Sequence, residues 1–529
     1  MKRAVALILT AVMLFSVLSG CKKAENNDTE QPKDEVGAEI INPDNEKNPT
    51  SDNKDKNNTV TKPTAQQNGQ TETNPQKTEQ SEQKDQTQKE PEKKPQAEQK
   101  PQTEQKPNQP TDTQTETETE WVPSTTITTQ HYDESKLKLP IISIETNGKT
   151  PVTSRDVYLK ATITVTNTQN KQYDLSATAT NIKGRGNSTW LHFDKKPYKL
   201  NFEKHIDLLG MGDGTEWVLL ANAFDETMLR NYIGLSLAHE MGLEFTTDFK
   251  FVNLYINGSY LGMYLLCEQQ EEGEKRINID TSKKGATDTG YLLQYIDSDK
   301  ETDEKFFVIG EVDGKKLGDN NKGRFLILSP NEKICTNAQQ TFIKDYVTQV
   351  NEAIFKKDWQ KICSLVDINS FVNMFIVDEI MLNNDMGYSF YMYKKKGDKL
   401  YLGPIWDLDQ SCGVSAWGGS TYSGWTTGSS HYWYLALMEI PEFMDLVKQR
   451  YGEKKAAIQN IVGSIDSVIS ENIYDIAMNN YRWGYYYGNP KKWRQIRELS
   501  GVTNYDEHVN YLKNWLNNRL GFINSSLGV

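Results

Sequence analysis

Apolar positions change rhythm three times along this chain. Ala4 to Val17 is a short, nearly unbroken apolar run. Residues 22–120 then hold no aromatic residue and only four large aliphatic ones, Val36, Ile40, Ile41 and Val60. Such a stretch buries too little apolar surface to offset its ordering entropy, which predicts a disordered tether over 21–125. Beyond Leu139 the pattern becomes dense. Pro140–Ile144, Tyr158–Val165, Tyr173–Lys183, Lys196–Phe202 and Trp217–Leu220 are β-branched or alternating runs that predict strands. Leu229, Ile233 and Leu237 recur every four residues and predict a helix over Thr227–His239. Phe251–Ile256 and Tyr260–Leu266 flank Asn257-Gly258, a strong hairpin signal. Segments 337–382 and 430–470 predict mostly helix. Strands first and helices later predict an α+β body rather than a doubly wound sheet.

Composition sharpens this division. The formal net charge is −12 over 529 residues, and the tether alone carries 22 acidic residues against 14 lysines. No basic nucleic-acid footprint exists. A flexible tether of about 100 residues has an r.m.s. reach of about 55 Å. Ahead of the tether, Lys2-Arg3, the apolar run and Leu18-Ser19-Gly20-Cys21 resemble a bacterial lipoprotein signal. That resemblance implies a signal peptide over 1–20, lipidation of Cys21 and a membrane-anchored, extracytoplasmic protein. The other cysteines, Cys267, Cys335, Cys363 and Cys412, form no CxxC pair and no zinc-type spacing. They read as small buried apolar residues.

Two constellations carry chemistry. In the first, Lys183-Gly184-Arg185-Gly186-Asn187-Ser188-Thr189-Trp190 leaves one strand and precedes another. Its glycines permit close backbone approach, and exposed amides beside an arginine suit phosphate. On the next strand, Lys199 faces away from Tyr198 and Leu200. In the second, the apolar run Phe371–Leu382 ends at Asn383-Asn384-Asp385. A strand at Phe390–Tyr393, a Lys396-Gly397-Asp398 turn and a return strand follow. The unit closes at Trp406-Asp407-Leu408-Asp409. A helix, an aspartate, a tight hairpin and a second aspartate repeat the plan by which protein kinases orient the acceptor and hold Mg²⁺. Asp407 and Asp409 share a face if the strand continues through them.

The ordered set closely resembles the spore coat protein H (CotH) kinase family. It comprises the glycine turn, Lys195-Lys196-Pro197-Tyr198-Lys199, Leu229-Arg230-Asn231, Asn253–Tyr264, Glu268-Gln269 and Trp406–Asp409. The resemblance implies a divergent protein-kinase-like fold over 126–529. It implies ATP- and Mg²⁺- or Mn²⁺-dependent phosphorylation, typically of serine in secreted or coat proteins. By the same resemblance, Asp385 is the catalytic aspartate, and Asp407 is the metal ligand with Asp409 a second candidate. Gly184, Arg185, Gly186, Asn187 and Ser188 cover phosphates. Lys199 contacts them, with Lys196 the alternative, and Glu268 lines the nucleotide pocket. Arg230-Asn231 positions the site or buttresses it. Partners are then a protein or peptide acceptor, the membrane through the lipid, and cell-wall or spore-coat components.

Two positions depart from the family. Ser389 stands where members carry a metal-binding Asn, and Cys412 stands where they carry Phe. A kinase-shaped scaffold without catalysis is therefore the second reading, with Tyr481–Tyr487 as either packing or a flat sugar-facing cluster. A glycoside hydrolase is the third. Asp407 and Asp409 lie too close in sequence to flank a glycosidic bond.

Overall fold

The computed structural model describes residues 133–281, 285–297, 302–315, 317, 323–414, 421–425, 432–484, 499 and 502–529. The signal segment, Cys21, the tether and Tyr485–Tyr487 lie outside the described residues.

Seven strands form the first half of the body: β1 (Ile141–Thr146), β2 (Leu159–Thr166), β3 (Leu175–Gly184), β4 (Tyr198–Asp207), β5 (Asp213–Leu220), β6 (Phe249–Ile256) and β7 (Ser259–Glu268). They close into a barrel of order β1-β2-β3-β4-β5-β7-β6, in which β1 runs antiparallel to β2 and parallel to β6. Alternation explains the closure. Ile142, Ile144, Ile163, Leu200, Trp217, Leu219 and Leu254 pack inside, and every strand finds a partner on both sides. Asn257 and Gly258 both adopt positive φ, +53° and +79°, as the tight β6–β7 hairpin requires.

The barrel's outer face is also apolar on one side. Val218, Leu220, Leu265 and Cys267 join a second, larger core. That core is shared with a five-stranded sheet of order β12-β11-β8-β10-β9. Its strands are β8 (Tyr291–Asp297), β9 (Phe306–Phe307), β10 (Gly323–Ser329), β11 (Ser389–Lys394) and β12 (Leu400–Leu402). The helices α1 (Ser188–His192), α2 (Arg230–Met241), α3 (Asn337–Phe355), α4 (Trp359–Leu365) and α5 (Ile368–Met381) precede β11. After β12 come α6 (Tyr432–Leu437), α7 (Pro441–Gly463), α8 (Ile465–Glu471), α9 (Ile473–Trp483) and α10 (Tyr505–Leu527). The α5 helix is buried on nearly every face, which accounts for its unbroken apolar run. A reciprocal Thr336–Gln339 capping box starts α3.

The mixed α+β class holds, with three differences from the sequence pattern. The early strands close into a barrel, which the strand pattern does not specify and which does not establish the kinase-like fold that the resemblance implies. The strands β8, β9 and β10 were not apparent in the pattern, because Tyr291–Tyr295 and Arg324–Ile327 are covered on both faces and lose their alternation. The glycine turn contains a helix, α1. Cys267, Cys335 and Cys412 are buried and Cys363 is half-buried, all as free thiols.

Candidate active site

The glycine turn is closed around its own contacts. Gly184 ends β3, and a Cβ there would lie 2.3 Å from the Trp190 ring, so packing demands glycine. Its amide donates to the Ser154 carbonyl at 2.8 Å, and the Arg185 amide donates to the Pro197 carbonyl at 3.1 Å. Gly186 takes φ +76°. Arg155 Nη1 donates to the Gly186 carbonyl at 2.8 Å and to Asn187 Oδ1 at 3.0 Å. Ser188 opens α1. The turn therefore spends two of its amides internally and presents the Arg185 side chain outward. The guanidinium of Arg185 lies 5.4 Å above the Trp406 ring, within cation–π range.

The three lysines after the turn have three different environments. Lys199 lies on the outer barrel face and pairs with Glu216 of β5 at 2.8 Å. Lys183 stands opposite it in the β3–β4 register, and its pKa is lowered by burial and by Lys199. Lys196 Nζ donates to the Trp190 carbonyl at 2.5 Å. Lys195 is fully buried and was not singled out by the sequence. Its ammonium donates to the Met263 carbonyl at 2.7 Å and to Asn479 Oδ1 at 2.9 Å, and burial pushes its pKa down to about 7.

Glu268 ends β7 in a different place. It pairs with Arg276 and accepts from the Asp248 amide at 2.7 Å. It lines a cavity of about 190 Å³ with Thr247, Gln269, Gln270 and Arg276. None of the residues lining that cavity lines the one beside Asp407.

The second constellation is brought together by the β11–β12 hairpin. The α5 helix stops at Leu382, which adopts φ +52°. Asn383 follows, buried, donating from Nδ2 to Asp378 Oδ1 at 3.2 Å. Asp385 lies in the turn Asn384–Gly387; its side chain is outside the described part. The residues in and around this turn converge on one place. Asn383, Met386 and Ser389 line a cavity of about 40 Å³ together with Tyr391, Trp406 and Asp407.

Asp407 does not sit on a continuing strand. β12 ends at Leu402, and Asp407 takes φ +61° in a turn. Alternation therefore does not apply: Asp407 is exposed to the cavity, whereas Asp409 is buried. Burial of the surroundings raises the Asp407 pKa, and the Arg185 charge opposes that rise. Tyr391 feels the same two charges, and burial pushes its hydroxyl up to about 12.

The loop carrying Asp407 is held from behind by α2. Asn231 Oδ1 accepts from the Leu408 amide at 2.8 Å, and its Nδ2 donates to Asn222 Oδ1 at 2.9 Å. Arg230 Nε donates to the Ser411 carbonyl at 2.9 Å, while Nη1 pairs with buried Asp225. Gly234 lets Leu408 approach: a Cβ would meet Leu408 Cδ1 at 2.2 Å. The Cys412 amide donates to the Met381 carbonyl at 2.6 Å, tying the loop to α5. Arg230-Asn231 is thus a buttress, the second of the two roles that the resemblance implied. Cys412 fills its place by packing its sulfur 3.8 Å from that of Met381.

Among the described residues no group of three or more His, Cys, Asp or Glu could hold a metal ion. Mg²⁺ does not need one, since it commonly takes one or two carboxylates with phosphate and water oxygens. An open carboxylate in a cavity of about 40 Å³ fits that mode, with room for an ion or a water.

A family model described as CotH kinase protein matches residues 182–523. The chain belongs to the CotH kinase protein family. No curated protein matches it. The CotH match opens two residues before Gly184 and closes within α10. It contains the glycine turn, Asp385, Asp407 and the α2 buttress. Strands β1 and β2 precede it, so the barrel of this CotH protein is completed by chain outside the match.

Proposed function

We propose that this protein is an ATP- and metal-dependent phosphotransferase acting on a serine hydroxyl of a protein or peptide, outside the cytoplasmic membrane and anchored through Cys21. The observation that carries the reading is the buttressed loop. Asp407 is held open toward one small cavity, beside the turn bearing Asp385 and beneath the cation of Arg185. Family membership supports phosphotransfer as the reaction class and a kinase-like arrangement of these parts.

In this mechanism the serine oxygen bonds to the γ-phosphorus of ATP as the bond to the β,γ-bridging oxygen breaks. ADP departs with that electron pair, and the serine proton passes to the Asp385 carboxylate. Asp407 would hold Mg²⁺ or Mn²⁺, with Asp409 available only if it left its buried position, and an ion held there would supply neutralisation of phosphate charge. Arg185 adds a second cation at the same opening, which matters because this transfer is mostly positioning and charge neutralisation. Lys199 reaches phosphate by exchanging its Glu216 partner. A nucleotide needs a pocket of about 300 Å³ or more. The cavity of about 40 Å³ beside Asp407 therefore has to widen for a nucleotide to bind.

A second reading, a kinase-shaped scaffold of the cell surface or spore coat, is favoured by the spent amides of Gly184 and Arg185 and by the Lys199–Glu216 pair. One experiment separates the two. The purified protein is titrated with ATP and Mg²⁺ or Mn²⁺, and transfer of labelled γ-phosphate is followed beside Asp407→Ala. Metal-dependent binding and transfer, both lost in the folded variant, support the kinase. Absence of ATP binding with either ion supports the scaffold.

A further inference from the structure

A large cavity lies against a different face of α2 from the one that meets the Asp407 loop. Asn231 reaches Leu408, while the next residue, Tyr232, lines this cavity of about 680 Å³. It shares no lining residue with the cavities at Asp407 and Glu268. From the chemistry of its walls we infer that it is a glycan-binding site, sized for about two or three sugar rings. The inference is independent of phosphotransfer.

The walls combine fixed aromatic rings with unspent polar ends. Tyr173, Tyr232 and Phe249 are half-buried, each from a different element. Tyr232 stacks on Phe251 at 5.4 Å and 13°, with Phe249 edge-on at 5.4 Å and 84°. Tyr173 lies over Gly210, where a Cβ would come within 2.6 Å of the ring. These rings are therefore locked in place and keep part of their surface open. Around them the polar residues divide into two groups. Thr168, Asn170 and Asn472 are spent on their own loops: Thr168 Oγ1 donates to the Asn170 carbonyl, Asn170 Oδ1 accepts from Gln172, and Asn472 Nδ2 donates to Val468. The side chains of Lys138, Gln169 and Glu471 make no hydrogen bond or ion pair among the described residues, and the Lys250 ammonium, also without either, lies 5.8 Å from the centre of the Tyr173 ring. They supply donors and acceptors of both charges at the rim.

The occupant that matches both groups has a flat apolar face and several neutral hydroxyls. A pyranose ring has both. An alkyl chain would leave the rim unmatched. A polyphosphate would meet Glu471. An extended peptide wants a strand edge, and the barrel wall here is closed by the parallel β1–β6 pairing.

The test is calorimetric titration of the full chain with chitotriose and with cellotriose, alongside ATP and a serine-containing peptide. Insoluble cell-wall glycan is used in a parallel sedimentation assay. We expect saturable binding of at least one glycan. It should weaken about tenfold or more in Lys250→Ala and in Glu471→Gln, both exposed positions, and in Tyr173→Ala. Binding of the trisaccharide marks a short soluble ligand, and sedimentation alone marks a polymer strand; either supports the site. The proposal is overturned if no glycan binds at about 10 mM. It is equally overturned if all three variants bind as tightly as the parent, or if ATP or the peptide competes at this site.

Discussion

Replacing Asn231 with alanine removes one side chain that satisfies two buried groups. The Leu408 amide loses its acceptor at 2.8 Å, and Asn222 Oδ1 loses its donor at 2.9 Å. Both lie away from water, since Asn222, Asn231 and Leu408 are buried. A buried polar group left unpaired costs about 1–3 kcal/mol. The variant should therefore lose about 2–4 kcal/mol of stability, read as a lower midpoint of urea unfolding. The Asn222→Ala variant and the double variant complete a cycle whose coupling should be about 1 kcal/mol, because the two amides face each other. A further effect concerns the site. Asp407 holds φ +61°, a left-handed conformation that aspartate tolerates better than most residues, and the next amide is the one Asn231 anchors. Freed of that anchor, the loop relaxes, so label transfer should fall even where the variant remains fully folded. A stability loss below about 0.5 kcal/mol would refute the reasoning, since it would mean that neither group depends on Asn231.

Three other perturbations probe the frame. In Gly262→Ala, a Cβ at φ +95° would sit 2.5 Å from Asn479 Oδ1 and 2.9 Å from Trp483 Nε1, displacing α9 from β7; near-ultraviolet circular dichroism of the tryptophans should change, with about 1–3 kcal/mol lost. Burial of His508, and after it the nearby Arg230 charge, lowers its pKa from 6.5 to about 4. The unfolded chain therefore takes up the proton first, so stability falls as pH drops from 6.5 toward 4. The His508→Gln variant should flatten that limb by about 3 kcal/mol in pH-dependent urea unfolding. Asp378 is buried, and its carboxyl pKa is raised well above the usual value by desolvation and, to a lesser degree, by the charge of Glu379. Its penalty grows as pH rises above about 3.9, the unfolded value, so Asp378→Asn should gain relative stability between pH 5 and pH 8. An unchanged difference between those two pH values would remove Asp378 as the cause.

Legibility differed by element for physical reasons. The β6–β7 hairpin was readable because Asn257-Gly258 encodes its turn locally, and its strands extend only slightly beyond the predicted ones. The α2 helix was readable from Leu229, Ile233 and Leu237, although it begins at Arg230 and runs to Met241. In contrast, Tyr291-Leu292-Leu293 gave no alternation, since Leu292 and Leu293 enter different clusters on opposite faces of β8. The helix–Asp–hairpin–Asp order placed Asp385 and Asp407 near one another, and their neighbours do line one cavity. Asp409 could not be read the same way. A left-handed residue at Asp407 breaks the strand period on which the comparison depended.

Local sequence determined most strands of the barrel, the α2 helix and the β6–β7 turn, and where an apolar body begins after the polar tether. It also determined the family, because the glycine turn, the Asn253–Tyr264 hairpin and Trp406–Asp409 occur in a specific order. Those properties depend on side-chain period, turn chemistry and motif order, all written within short stretches. Tertiary structure alone decided barrel closure, since a strand's second partner can lie a hundred residues away, as Ile142 and Leu254 do. It also decided which lysine is buried, which is paired and which caps a carbonyl, although Lys195, Lys196 and Lys199 lie within five residues. Desolvation and ion pairing are set by whatever packs from elsewhere in the chain. For Lys195 that is Asn479, 284 residues away.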